Sequence, residues 1–138
     1  MKYISAILKE TGKFKDIGKK LKGQNEVIIS GVSDSQKRHI ACMLSEFSGM
    51  KGLYVAWNEM QAKHAWNDLS YLTGDKALYL PNREIMLYDV EARSFEQTYD
   101  RIKTLLRILE GDYTFIVTSV EALMHFIMPP EVFGDKLL

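Results

Sequence analysis

Apolar residues recur along this chain with two alternating periods. Ile4, Ile7 and Leu8 fall at helical spacing before Thr11-Gly12, and Phe14, Ile17 and Leu21 do so before Gly23. They predict an N-terminal helical segment over 1–26, in two pieces. Val27, Ile28 and Ile29 then predict a first strand over 27–30. A helix over about 35–48 follows, with Ile40, Leu44 and Phe47 on one face and Gly49 as its stop. Leu53, Tyr54, Val55 and Ala56 read as a second strand. Asn58 and Gln61 form a capping-box-like pair, opening a helix whose Ala62, Ala65, Trp66, Leu69 and Leu72 share a face. That spacing assigns Trp66 to the core rather than to a base-stacking platform.

Leu78, Tyr79 and Leu80 predict a short strand closed by Pro81-Asn82, and residues 81–93 lack periodicity and read as a long surface connection. Ser94 with Gln97 makes another capping box, before a helix over 95–110 that presents Tyr99, Ile102, Leu105, Leu106 and Leu109. Residues 113–118 are the strongest strand, rich in aromatic and β-branched side chains. Ser119 is placed to cap a last helix over 120–127, which Pro129-Pro130 stops. Strands alternating with helices predict an α/β fold of right-handed βαβ units, with a mostly parallel sheet flanked by helices. Ligands bind such sheets at the carboxyl ends of the strands.

The segment from Val27 to Arg38 adds chemistry to that pattern. An apolar run, a loop with Gly31 and a helix start are the setting of a phosphate-binding P-loop, G-x-x-x-x-G-K-[ST]. Gly31 and Lys37 keep the spacing. Gln36 stands where the second glycine belongs, and Arg38 stands where a Mg²⁺-binding hydroxyl belongs. A glycine lets the backbone reach the phosphates with no Cβ in the way, and Arg38 has no acceptor to offer a metal. The candidate nucleotide-binding residues are therefore Gly31, Ser33, Asp34, Ser35 and Lys37, in a degenerate loop. A P-loop ATPase also needs an acidic residue at the end of another strand. The strands here end in Ala56-Trp57-Asn58, Leu80-Pro81-Asn82 and Thr118-Ser119-Val120, and none supplies a carboxylate.

Composition narrows the field further. The chain has 138 residues and a formal net charge of +0, so no global basic field favours nucleic acid. Lys9, Lys13, Lys15, Lys19, Lys20 and Lys22 nonetheless crowd the N-terminal helices, where a solvated face is the plain reading. The single Cys42 excludes an internal disulfide, fits a reducing compartment and sits among core-type neighbours. His39, His64 and His125 show no metal-ligand spacing with one another or with Cys42. Asp89 and Glu91 lie in the irregular connection and read as solvated. Neither a signal peptide nor an apolar run of membrane-spanning length occurs, which predicts a cytoplasmic protein with no membrane partner. No catalytic residue and no metal site is assigned.

Five segments, in order, carry a family resemblance. They are the 31–37 loop; Ala56-Trp57-Asn58 with Gln61-Ala62; Leu80-Pro81-Asn82-Arg83-Glu84 with Leu87-Tyr88-Asp89; Arg101 with Leu105; and Val117 to Leu123 with Met128-Pro129-Pro130-Glu131-Val132-Phe133. The set resembles the N-terminal, UvrB-like module of the bacterial transcription-repair coupling factor (Mfd), including the family's "FP..E.LPYD" segment with Leu80 in place of Phe. The resemblance implies a RecA-like first subdomain, its front portion over 27–133, with 134–138 opening the next, truncated segment. It implies a fragment of an ATP-driven DNA translocase that displaces stalled RNA polymerase and recruits UvrA for nucleotide excision repair. ATP and Mg²⁺ would serve the parent's downstream motor, so no cofactor is expected for this chain. Partners implied are the rest of the parent by intramolecular docking, UvrA through the adjacent missing subdomain, and RNA polymerase and DNA through the parent.

Two further readings stay open on the residues alone. One is a working ATP-binding module of a UvrB-like helicase, with Lys37 on the β- and γ-phosphates. The other is a nucleic-acid-binding module using the lysine-rich N-terminal helices and Trp57.

Overall fold

A computed structural model describes residues 12–23, 26–82, 91–125, 127 and 129. The predicted helix around Ile4–Leu8, most of the 81–93 connection, the residues after Pro129 and the 134–138 segment lie outside the described residues. The chain forms two compact units, Met1–Gly52 and Leu53–Leu138.

The first unit contains helices α1 (Gly12–Lys22) and α2 (Asp34–Ser48). Phe14 is buried on α1 and meets Phe47 of α2 edge-on, with ring centroids 6.0 Å apart. Gly18 lies directly against that Phe47 ring, where a Cβ would come within 2.5 Å of it. The Lys22 ammonium sits 5.3 Å from the centre of the same ring. Gly49 ends α2 in the left-handed region at φ 73, where a residue with a Cβ is strained, and its N–H donates to the Ser45 carbonyl.

The strand expected over 27–30 does not form: those residues take no regular structure, and Ile28 is 92% exposed. A β-branched run favours extended backbone but cannot make a strand without a neighbour to complete the ladder.

The second unit is α/β, with a three-stranded parallel sheet and helices against it. Its elements are β1 (Gly52–Ala56), α3 (Glu59–Thr73), β2 (Ala77–Leu80), α4 (Glu91–Glu110), β3 (Phe115–Ser119) and the four-residue α5 (Val120–Leu123). Strand order is β1-β3-β2, so the last strand lies between the first two. β2 and β3 run parallel, with Ala77 opposite Phe115 and Leu80 opposite Thr118. The β1-to-β2 and β2-to-β3 crossovers travel in opposite directions across the sheet. Right-handed connections therefore put α3 and α4 on opposite faces. Ala62, Ala65 and Leu69 of α3 and Val117 of β3 have no solvent exposure and form the centre of the core. Thr118 is equally buried, and its hydroxyl donates to the Leu80 carbonyl at 2.9 Å, so the buried polar group is satisfied.

Two helix ends differ from the pattern. α4 begins at Glu91, which puts Ser94 inside the helix rather than at its cap. α5 stops at Leu123 instead of running to Ile127, and the Met124 N–H donates to the Val120 and Glu121 carbonyls as the turn tightens. The apolar face read on α4 is only partly used. Leu105 and Leu106 are half-buried, whereas Tyr99, Ile102 and Leu109 are exposed. The helix meets the sheet instead through Thr104, whose hydroxyl donates to the Tyr79 carbonyl at 2.9 Å, and through Arg101, whose guanidinium donates to the Pro81 carbonyl.

Candidate functional site

The degenerate loop folds as a closed helix cap. Gly31 takes a left-handed turn at φ 73 with open space around its Cα, which glycine adopts without strain. Ser33 is the N-cap of α2 in extended conformation, and Asp34, Ser35 and Gln36 are the first three helical residues. Gln36 is not merely a residue in a glycine's place. Its Oε1 accepts from the Ser33 N–H at 2.9 Å, and its own N–H donates to the Ser33 Oγ at 3.4 Å. This reciprocal pair is a capping box. The next donor, the Lys37 N–H, goes to the Ser33 carbonyl at 3.0 Å as ordinary helix.

Lys37 is drawn into the same cap. Its Nζ donates to Asp34 Oδ1 at 2.9 Å, an exposed pair one helical turn apart. The hydrogen bond from Lys37, followed by that ammonium's charge, holds the Asp34 carboxyl below its ordinary 3.8. Such a surface pair adds little to stability. It does place a carboxylate on the positive end of the helix dipole, where a phosphate would otherwise be favoured. Gly31, Ser33, Asp34, Ser35 and Lys37 are thus neighbours on one exposed loop. Ser33 and Gln36 are turned on each other, and Lys37 is turned on Asp34.

The carboxyl ends of β1, β2 and β3 carry a second cluster, within the other unit. Asn58 Oδ1 caps α3 by accepting from the Gln61 N–H at 2.8 Å, which fixes Glu59 in the first turn. The Tyr79 hydroxyl donates to Glu59 Oε1, and the Ser119 hydroxyl donates to Glu59 Oε2 at 3.4 Å. Burial, then the hydrogen bond and charge of Glu59, push the Tyr79 phenol up, so it remains a donor. The Trp66 indole N–H donates to the Ala77 carbonyl at 3.0 Å, and its ring lies 5.6 Å from that of Tyr79. Trp66 is therefore half-buried packing, as its helical position implies. Trp57 is 79% exposed at the same end of the sheet.

Glu59 and Glu121 amend the sequence reading. The strands themselves end without a carboxylate, but each glutamate stands in the first turn of the helix that follows. Glu121 Oε2 accepts from Asn82 Nδ2 at 3.3 Å. Asn58 marks the start of α3 and so marks Glu59. That Glu59 meets a tyrosine 20 positions away and a serine 60 away is not visible in local sequence. Beside this cluster a groove of about 640 Å³ runs between α3, β2 and α4, with Lys63, Lys103 and Arg107 facing it as well as Glu59, Asp100 and Glu121. Charges of both signs line it, so it presents no field of one sign.

Among the described residues no group of three His, Cys, Asp or Glu side chains is placed to hold a metal ion. No described helix is long and apolar enough to cross a membrane.

No protein-family model matches the chain, and no solved structure matches it. Curated relatives do. The chain is 26% identical over 138 residues to the transcription-repair-coupling factor of Bacillus subtilis, covering 99% of this chain and 12% of that protein. It is 24% identical over 136 residues to the factor of Staphylococcus aureus USA300, covering 98% of this chain and again 12% of the relative. The chain thus spans about 12% of the length of the curated relatives it matches. Over nearly all of its length, the chain is similar to one segment of the transcription-repair-coupling factors, the family its ordered motifs resemble.

Proposed function

We propose that this chain is a non-catalytic, UvrB-like scaffold and regulatory module of a transcription-repair coupling factor. In this reading the parent is an ATP-driven translocase that displaces stalled RNA polymerase from DNA and recruits UvrA. ATP and Mg²⁺ are used by a motor elsewhere in the parent. This segment docks on other parts of the parent in the cytoplasm and supports the neighbouring UvrA-binding subdomain.

The observation that carries the reading is the capping box at Ser33 and Gln36. A working P-loop offers consecutive backbone N–H groups and a lysine to the phosphates. Here the Gln36 N–H is committed to Ser33 and the Lys37 ammonium to Asp34. A nucleotide would have to break both and then meet the Asp34 carboxylate. In the full-length protein that carries this segment, Lys37→Ala leaves DNA-stimulated ATP turnover at the wild-type rate. A loss of turnover would place Lys37 in the motor and overturn the proposal.

A further inference from the structure

The groove over β2 sorts its charges by position. β2 is an edge strand, and α3 and α4 both run back along it from the carboxyl end of the sheet. Three hydrogen bonds fix the levels. Arg101 donates to the Pro81 carbonyl just beyond the strand's carboxyl end, Thr104 to the Tyr79 carbonyl within it, and the Trp66 indole to the Ala77 carbonyl at its start. Glu59 and Asp100 therefore stand at the carboxyl end, with Asn82 and Glu121. Lys63 lies one turn below Glu59, Lys103 lies beside Thr104, and Arg107 lies one turn further down. The three carboxylates thus gather at one end, and the three cations occupy the middle and the other end.

These groups are not spent on one another. Among the described residues, no ion pair or hydrogen bond holds the side chain of Lys63, Lys103 or Arg107. At the acidic end, Asn82 Oδ1 is buried without a hydrogen-bond partner, while its Nδ2 donates to Glu121. Buried acceptors are ordinarily satisfied, so that end lacks a donor. Between the two ends, Trp66 and Tyr79 line the groove with half-buried rings. Tryptophan, tyrosine and arginine are the residue types that most often carry binding energy.

The arrangement excludes several ligand classes. A nucleotide or nucleic acid suits the cations but is repelled by the carboxylates, and a polyamine meets the reverse difficulty. A further β-strand cannot add to this edge. Alternate residues of a strand address the same edge, and the Ala77 and Tyr79 carbonyls are already taken by Trp66 and Thr104. Asp100 and Arg107 stand two helical turns apart, roughly 10 Å. An extended peptide rises about 3.3 Å per residue, so three or four residues cover that span. Opposite charges at this separation, with an apolar surface between them, describe a stretch of polypeptide. We propose that the groove binds an extended segment of a partner protein. Its basic side chain meets Glu59, Asp100 and Glu121, an apolar side chain rests on Trp66 and Tyr79, and an acidic side chain meets Lys103 and Arg107. The site is separate from the 31–37 loop, so the two readings fail independently.

The test is fluorescence anisotropy of labelled, end-blocked peptides of about six residues, titrated with the full chain. One peptide carries arginine before an aliphatic centre and aspartate after it, and a second reverses that order. Two controls carry arginine, or aspartate, at both places. The expected result is saturable binding of one mixed peptide, tighter than about 1 mM and about tenfold tighter than either control. Lys103→Glu/Arg107→Glu changes two exposed side chains and leaves carboxylates at both ends, so preference passes to the arginine control. A merely structural role would not move that preference, and circular dichroism with tryptophan fluorescence checks the fold. No binding of either mixed peptide at about 1 mM overturns the proposal, as does binding no tighter than the controls or a preference unchanged in the double variant. A peptide-free chain that sediments as a dimer, with the double variant a monomer, assigns the groove to a second copy and also overturns it.

Discussion

The contact between α1 and α2 depends on Gly18 having no side chain, and that gives a test with a predicted change of sign. In a helix interior, Gly→Ala ordinarily gains about 1 kcal/mol through propensity. At Gly18 the new methyl would lie 2.5 Å from Phe47 Cε1 and 2.6 Å from Cδ1, closer than non-bonded carbons tolerate. Phe47 is 37% exposed, so its ring has room to swing outward. Swinging out gives up the edge-on contact with Phe14, worth about 0.5–1.5 kcal/mol, and the Lys22 cation–π contact, worth about 0.5–1 kcal/mol. Lost burial of the ring adds to these, since overpacking costs typically 1–3 kcal/mol. Gly18→Ala in the wild-type chain therefore destabilises the first unit by about 1 kcal/mol net. In a Phe47→Ala background the obstacle is gone, and the same substitution stabilises by about 1 kcal/mol. The four proteins of this cycle are compared by urea unfolding. Trp57 and Trp66 both lie in the second unit, so the first must be followed by far-ultraviolet circular dichroism. If Gly18→Ala stabilises the wild-type chain as much as the Phe47→Ala chain, the packing described for this helix pair is wrong.

Two further outcomes follow from the geometry. Leu69 has no solvent exposure at the centre of the second unit, so Leu69→Ala costs about 2–5 kcal/mol, read as an earlier urea midpoint in tryptophan fluorescence. Lys37 lowers the Asp34 carboxyl below 3.8, so the ionised form favours the folded cap. That contribution is present above pH 3.8 and disappears as pH falls through the lowered folded value. Asp34→Asn therefore differs from wild type in helical signal at neutral pH, and the two converge as acid is added.

Local and distant information separate cleanly along this chain. Asn58, Ser119 and Gly49 were legible as helix boundaries because a cap is settled within three or four residues. The alternation of strands and helices likewise announced the α/β class. Gln36 was open to the same local reasoning, since Ser33 and Gln36 stand at capping-box spacing. Measured against a P-loop it is a defect, whereas measured against a helix start it is a partner. The segment 27–30 departs from its pattern for the opposite reason. Its composition is that of a strand, but a strand exists only where another supplies the ladder. The Glu59, Tyr79 and Ser119 cluster is hidden because it joins one residue each from α3, β2 and β3, which only the tertiary fold brings together. Arg101 and Thr104 explain the exposed Tyr99 and Ile102. Hydrogen bonds to the Pro81 and Tyr79 carbonyls set which side of α4 meets the sheet, and hydrophobic spacing does not record them.

The role of the 31–37 loop depends on whether a nucleotide can displace the cap that Ser33, Gln36, Asp34 and Lys37 make for themselves. The most direct measurement is a titration of the chain with a fluorescent ATP analogue and Mg²⁺, beside Lys37→Ala and beside Gln36→Gly/Arg38→Thr. A closed cap gives no saturable binding by the wild-type chain and no change on Lys37→Ala, with any gain confined to the double variant. Micromolar binding by the wild-type chain that Lys37→Ala abolishes would show that the cap opens to nucleotide and make the loop a nucleotide sensor.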